Sequence, residues 1–209
     1  AADAAVMVLD AAKGIEPQTL KLFEVCKARQ MPLLTFINKW DRPGLEALEL
    51  LDEIDDKIGV TAAPVTWPVG IAGDFRGVID RATGRFIRFT RTARGATEAP
   101  EEVVDAERAE AEEGAVWTTA VEESELLGTM GLDFDRELFL GGELSPTFFG
   151  SALTNFGVRL LLDAVIDLAP PAGPRPDRDG HPRPLDAPFS GFVFKVQANM
   201  DKSHRDRIA

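Results

Sequence analysis

The stretch Pro32-Leu33-Leu34-Thr35-Phe36-Ile37-Asn38-Lys39-Trp40-Asp41 decides how this chain is read. An almost wholly apolar run ends abruptly in an amide, an ammonium and a carboxylate. A short continuous apolar run bounded by polar turn residues suits a strand buried on both faces. A second such run, Ala5-Val6-Met7-Val8-Leu9, ends in Asp10. Between the two, residues 17–30 place Leu20, Phe23 and Cys26 on one helical face, with Gly14 for a turn and Pro17 at the first helical position. Strand, helix and strand with both strands apolar throughout predict a βαβ unit in a covered parallel sheet. Ligands of such sheets bind outside the carboxyl ends of the strands, where Asp10 and Asn38 fall.

The residue types at that edge suit one kind of ligand. A carboxylate at Asp41 can accept from both donors on one edge of guanine, its ring N–H and its exocyclic amine. Adenine offers no such pair there, and a desolvated carboxylate left unpaired is costly. The Lys39 stem can lie along the face of a base, and the Asn38 amide can tie neighbouring loops together. A second candidate half lies far downstream, in Phe148-Phe149-Gly150-Ser151-Ala152-Leu153. Residues 146–149 read as a strand and 158–168 as a helix, so Ser151, Ala152 and Leu153 form a strand-to-helix loop.

On these residues the chain resembles the translational GTPases. Asp10-Ala11-Ala12-Lys13-Gly14-Ile15-Glu16-Pro17-Gln18-Thr19 is similar to the segment that follows the second switch in that superfamily. Asp41 and Ser151 lie 110 residues apart, and so large a separation resembles the elongation-factor-G-like branch. Within the branch four stretches look most like the release factor 3 family: 63–70, 137–144, 148–158, and 192–201 with His204-Arg205-Asp206-Arg207. The resemblance implies an α/β fold: part of a Ras-like P-loop GTPase domain, a parallel sheet with flanking helices. A large α+β insertion and the start of a β-barrel domain complete it. It implies binding of GTP or GDP through Asn38, Lys39, Asp41, Ser151, Ala152 and Leu153, with the Ala152 N–H donating to the guanine carbonyl. It also implies a cytoplasmic GTPase that promotes departure of class I release factors from the terminating ribosome. Its other partners would be the stalk and RNA of the large subunit, with neither membrane nor DNA involved.

Other expected parts do not occur in this sequence. It contains no Gly-x-x-x-x-Gly-Lys-[Ser/Thr] phosphate loop, no first switch and no Asp-x-x-Gly followed by His. The chain therefore reads as a fragment, with no catalytic residue of its own and Mg²⁺ expected only in the full-length protein. Alone it is expected to be inactive and to bind nucleotide more weakly than roughly 0.1 mM. Two other readings stay open. One is an elongation-factor-G-like translocase or ribosome-protection GTPase. The other is a non-catalytic ribosome-interaction module with a vestigial nucleotide site.

Composition narrows the partners further. The net charge of −12 argues against gripping RNA through a general basic field. Local exceptions are Arg85, Arg88, Arg91 and Arg94, read as a solvated hairpin face, and Lys202, His204, Arg205 and Arg207 near the end. The single Cys26 excludes an internal disulfide and reads as core filling. His181 and His204 are far apart, and no metal-ligand spacing is present. No apolar run is long enough to span a membrane, and no signal peptide is evident.

The organisation expected is a GTP-binding domain over 1–58 and 143–168, an insertion over 59–142, a linker over 169–188 and the start of a β-barrel over 189–209. The linker range holds seven of the fourteen prolines. Further predicted elements are a helix over 45–58, strands over 63–67, 75–80 and 85–92, and helices over 100–114 and 120–127. The acidic helix 100–114 reads as a solvated face. A parallel sheet of three strands would leave strand 5–9 with an open edge, a hazard for pairing between copies.

Overall fold

The computed structural model describes residues 2–90, 100–191, 193, 195–198 and 207–208, the last two short pairs (197–198 and 207–208) by their backbone alone. The two apolar runs form β1 (Ala5–Asp10) and β2 (Leu33–Asn38), joined by α1 (Pro17–Ala28) with Pro17 in its first turn. Helix α2 (Ala47–Ile58) stops where Gly59 adopts the left-handed conformation, its N–H donating to the Asp55 carbonyl. Glycine takes that conformation without the Cβ clash other residues meet. Four short strands follow, β3 (Thr61–Pro64), β4 (Thr66–Val69), β5 (Gly77–Asp80) and β6 (Arg85–Phe89). Then come β7 (Glu101–Val104), α3 (Ala106–Glu113), α4 (Ala115–Thr129), α5 (Arg136–Leu140), β8 (Leu144–Phe149) and α6 (Val158–Leu168).

These elements make up one unit, Ala1–Pro171. The other unit, Ala172–Ala209, contains two antiparallel pairs, β9 (Arg175–Pro176) with β10 (Pro182–Arg183) and β11 (Gln197–Ala198) with β12 (Arg207–Ile208).

The first unit contains two four-stranded sheets. One runs in the order β1-β2-β8-β3 with every pair parallel, placing Asp10 beside Asn38 at the carboxyl edge. Thr35 interrupts the apolar run of β2, and its hydroxyl is satisfied by the Ser145 hydroxyl of β8 at 2.7 Å. The other sheet, β4-β5-β6-β7, is antiparallel throughout. One apolar core joins them, from Leu9 and Ile37 through Trp40 and Phe149 to Trp67, Phe86 and Trp117. β1 is an edge strand, and its Val6 and Val8 side chains are exposed.

Four expectations need correction. Residues 63–67 are not one strand: Ala63 pairs in the parallel sheet and Trp67 in the antiparallel one. Val65 is the point of transfer. Its N–H donates to Thr147 of β8, while its carbonyl accepts from Arg81 just beyond β5. The parallel sheet accordingly has four strands rather than three. Residues 101–104 form a strand beside β6 instead of the first turn of a helix, because Asp105 caps α3, its carboxylate accepting from the Arg108 N–H at 2.9 Å.

The fourth correction concerns charge. Arg88 is not a solvated residue: its side chain is 19 % exposed and pairs with Glu112 at 2.6 Å and Glu113 at 3.0 Å. Glu113 also receives Arg76 at 2.9 Å, and Arg108 bridges Glu102 and Glu112. Hydrogen bonds from these guanidinium groups hold the Glu112 carboxyl below its ordinary range, those of Arg108 first and Arg88 next. The acidic run is therefore partly the counter-charge of β6. Arg91, Arg94, Lys202, His204, Arg205 and the Arg207 side chain lie outside the described residues.

Candidate functional site

The carboxyl edge of the parallel sheet brings the candidate residues together. After β2 the chain turns sharply, with the Arg42 N–H donating to the Lys39 carbonyl at 3.0 Å. Lys39 itself takes φ 65°, a left-handed conformation that costs a side-chain-bearing residue roughly 1–2 kcal/mol. Its neighbours hold it there. The Asn38 amide oxygen accepts from the Lys39 N–H at 2.8 Å, and the Lys39 ammonium reaches back to the Asp10 carboxylate at 2.5 Å.

The same Asn38 oxygen accepts from the Ala152 N–H at 2.9 Å, across 114 residues of sequence. Two further bonds lock the loops: the Gly150 N–H donates to the Ile37 carbonyl, and the Trp40 N–H to the Gly150 carbonyl. Gly150 has no room for a side chain, since a Cβ would lie 2.3 Å from the Phe156 carbonyl oxygen and 2.6 Å from the Phe36 ring. Ser151 and Phe156 exchange both backbone hydrogen bonds, closing the loop into a tight ring. Within it Ala152 and Leu153 are exposed and Ser151 is buried.

Two polar atoms in this site are buried and have no partner among the described residues, Oδ1 of Asp41 and Oγ of Ser151. Buried polar atoms normally find a partner, so an orphaned carboxylate oxygen in a loop cluster points to a donor supplied from outside the chain. The sequence placed Asn38, Lys39, Asp41, Ser151, Ala152 and Leu153 here, and the structure brings their backbones to one edge. Asp10, which the sequence also placed at this edge, belongs to the same cluster, and so do two residues the sequence gave no role, Trp40 and Phe156. The ion pair of Asp10 with Lys39 and the contacts of the two aromatics needed the fold to be seen.

Asp10 makes this edge sensitive to acid. The hydrogen bond from Lys39, helped by the Ala12 N–H, holds its carboxyl below the ordinary range against the opposing effect of burial. A carboxylate whose folded pKa is depressed contributes stability above its unfolded pKa of about 3.9, and loses it as pH falls through the folded value. Asp10→Asn is expected to cost about 1 kcal/mol near pH 7, since Lys39 is half exposed. Urea unfolding from pH 7 to 3 should show the two proteins converging below about pH 4. A constant gap across that range would remove Asp10 from the pair.

Residues 1–171 match the family model described as the elongation factor Tu GTP binding domain. The chain belongs to the elongation factor Tu GTP-binding domain family. The matched residues end where the first structural unit ends, at Pro171. Across its whole length the chain is 50% identical to peptide chain release factor 3 of Microcystis aeruginosa, covering 39% of that protein. It is 52% identical to peptide chain release factor 3 of Gloeobacter violaceus, again over the whole chain and 40% of the relative. The chain thus spans about two fifths of the length of the curated relatives it matches. The resemblance and the α/β fold class expected from the sequence are borne out. Among the described residues no helix is long and apolar enough to cross a membrane.

Proposed function

We propose that this chain supplies the guanine-reading part of a GTPase that acts in translation termination. The observation that carries the reading is the junction at Asn38. Its amide oxygen joins the 38–41 turn to the 151–153 loop, and the same turn carries the Asp41 oxygen that is buried without a partner among the described residues. On a bound base, Asp41 would accept from the ring N–H and the exocyclic amine. The Ala152 N–H would turn from Asn38 toward the base carbonyl, and the Lys39 stem, held by Asp10, would lie along the ring. Ser151 and Leu153 complete the loop that carries Ala152.

GTP or GDP is the ligand this chemistry recognises. Among the described residues no three His, Cys, Asp or Glu side chains lie together to hold a metal, so no step through Mg²⁺ is derived from them. The relatives are named for peptide chain release, and that name supports a ribosomal setting for the intact protein. Its activity would be GTP hydrolysis coupled to departure of codon-reading release factors. The test is retention of a labelled release factor on terminated ribosomes, with and without the intact protein and GTP. Faster loss with GTP, and not with a non-hydrolysable analogue or with ATP, is the expected result. Movement of transfer RNA on the ribosome in place of release-factor loss would assign the protein to translocation. GTP binding with no ribosome-stimulated hydrolysis would leave a binding module.

A further inference from the structure

Each of the two loops is tied through an aromatic residue to the antiparallel sheet, one at its β4–β5 turn and the other at β6. From the first, Trp40 sets its ring edge-on to Phe149 at 4.9 Å, and its indole N–H points to the Gly70 carbonyl at 3.4 Å. Its own carbonyl accepts from the Gly73 N–H at 2.9 Å. Gly70 and Gly73 belong to the turn between β4 and β5. From the second loop, Phe156 stacks flat on Phe89 of β6, with centroids 5.1 Å apart and planes 14° from parallel. Phe75 leans on both rings, at 6.1 Å from Phe156 and 5.5 Å from Phe89. Phe156 also closes the Ser151 ring described above, and Gly157 follows it at φ 70°, where a Cβ would lie 2.6 Å from the Phe149 carbonyl oxygen. Neither loop can shift without moving its aromatic.

We propose that Trp40 and Phe156 are positioning residues for guanine recognition, each setting one of the two loops from the antiparallel sheet. They contact no base themselves. Trp40 fixes the turn that aims Asp41 at the guanine amine, and Phe156 fixes the ring that aims the Ala152 N–H at the guanine carbonyl. The antiparallel sheet is then the handle of the site, and displacement of that sheet changes guanine affinity, with reciprocal coupling between the two. This inference rests on the guanine-site reading above.

The two loops can be read separately with GDP and two analogues: inosine diphosphate, which lacks the amine, and 6-thioguanosine diphosphate, which keeps the ring N–H and the amine but replaces the carbonyl oxygen with sulfur, a weaker acceptor. On the intact protein, Phe89→Leu and Phe156→Leu are expected to raise the GDP dissociation rate about five- to tenfold. The preference for GDP over the thio analogue should fall, while the preference over inosine diphosphate holds. Trp40→Phe should do the reverse. The double variant Phe89→Leu/Phe156→Leu should bind no worse than Phe156→Leu alone, because contacting residues acting through one another are not additive. Should Phe156→Leu fail to fold, Phe89→Leu carries the same readout. Variants that melt lower yet keep both preferences, or lose both equally, would overturn the positioning role. A wild-type protein without either preference would instead overturn the guanine site itself.

Discussion

Asp41→Asn in the intact protein should exchange guanine preference for xanthine preference. Asp41 offers two acceptor oxygens, one of them buried and without a partner among the described residues. Asparagine replaces one acceptor with a donor. Against guanine, that donor would face the exocyclic amine, two N–H groups pointing at each other. Against xanthine, which carries a carbonyl at the same position, the donor is satisfied. Hydrogen bonds to a charged group contribute about 1.5–3 kcal/mol each, so GDP affinity should fall about 10²–10³-fold and xanthosine diphosphate should gain comparably. Competition between the two nucleotides measures the exchange directly. Unchanged GDP preference would remove Asp41 from base recognition. The fold should tolerate the change, because neither described structure nor burial gives the Asp41 oxygen another role.

How much of this was legible in the sequence depended on the range of the interaction concerned. β1 and β2 were readable because each is a short, largely apolar run that ends in a polar residue at the sheet edge, Asp10 or Asn38; of the two only β2 is buried along nearly its whole length, while Val6 and Val8 of the edge strand β1 are exposed. The residues at that edge were singled out because their types and spacing resemble the base-reading motifs of the translational GTPases. Val65 was not readable as a transfer point: nothing local marks a strand that leaves one sheet for another, and only its bonds to Thr147 and Arg81 reveal it. Glu101 and Glu102 looked helical by composition, yet β6 supplies a ladder and Arg159, Arg88 and Arg108 supply counter-charges. Arg81 gave no signal either. Its guanidinium donates to the carbonyls of Pro64 at 2.8 Å and Leu132 at 2.9 Å, partners distant in sequence. Trp40 and Phe156 were given no role for the same reason, since their partners Phe149 and Phe89 are distant in sequence.

The largest loss of stability should come from Phe149→Ala, which empties the place where the two sheets meet. Phe149 is fully buried at the end of β8, with Trp40 edge-on at 4.9 Å and Trp67 at 5.4 Å. Its N–H donates to the Thr66 hydroxyl at 3.2 Å, so its backbone also fastens β8 to β4. Truncation leaves that bond intact and removes the ring, which isolates the packing contribution. Phenylalanine-to-alanine changes in cores cost about 3–5 kcal/mol, from lost burial and from a cavity that the surroundings only partly fill. Collapse is difficult here. Trp67 is held by its indole N–H on Glu123 at 2.9 Å, and Trp40 by the 70–73 turn. The cost should therefore lie toward the upper end, lowering the melting temperature by about 10 °C or more in a domain of this size. Phe149→Leu should cost no more than about 1.5 kcal/mol, because most of the volume is kept. Urea unfolding of the two variants checks both values. An alanine variant within about 2 kcal/mol of wild type would mean that the sheets close over the gap, and that they are not held apart by the two tryptophans.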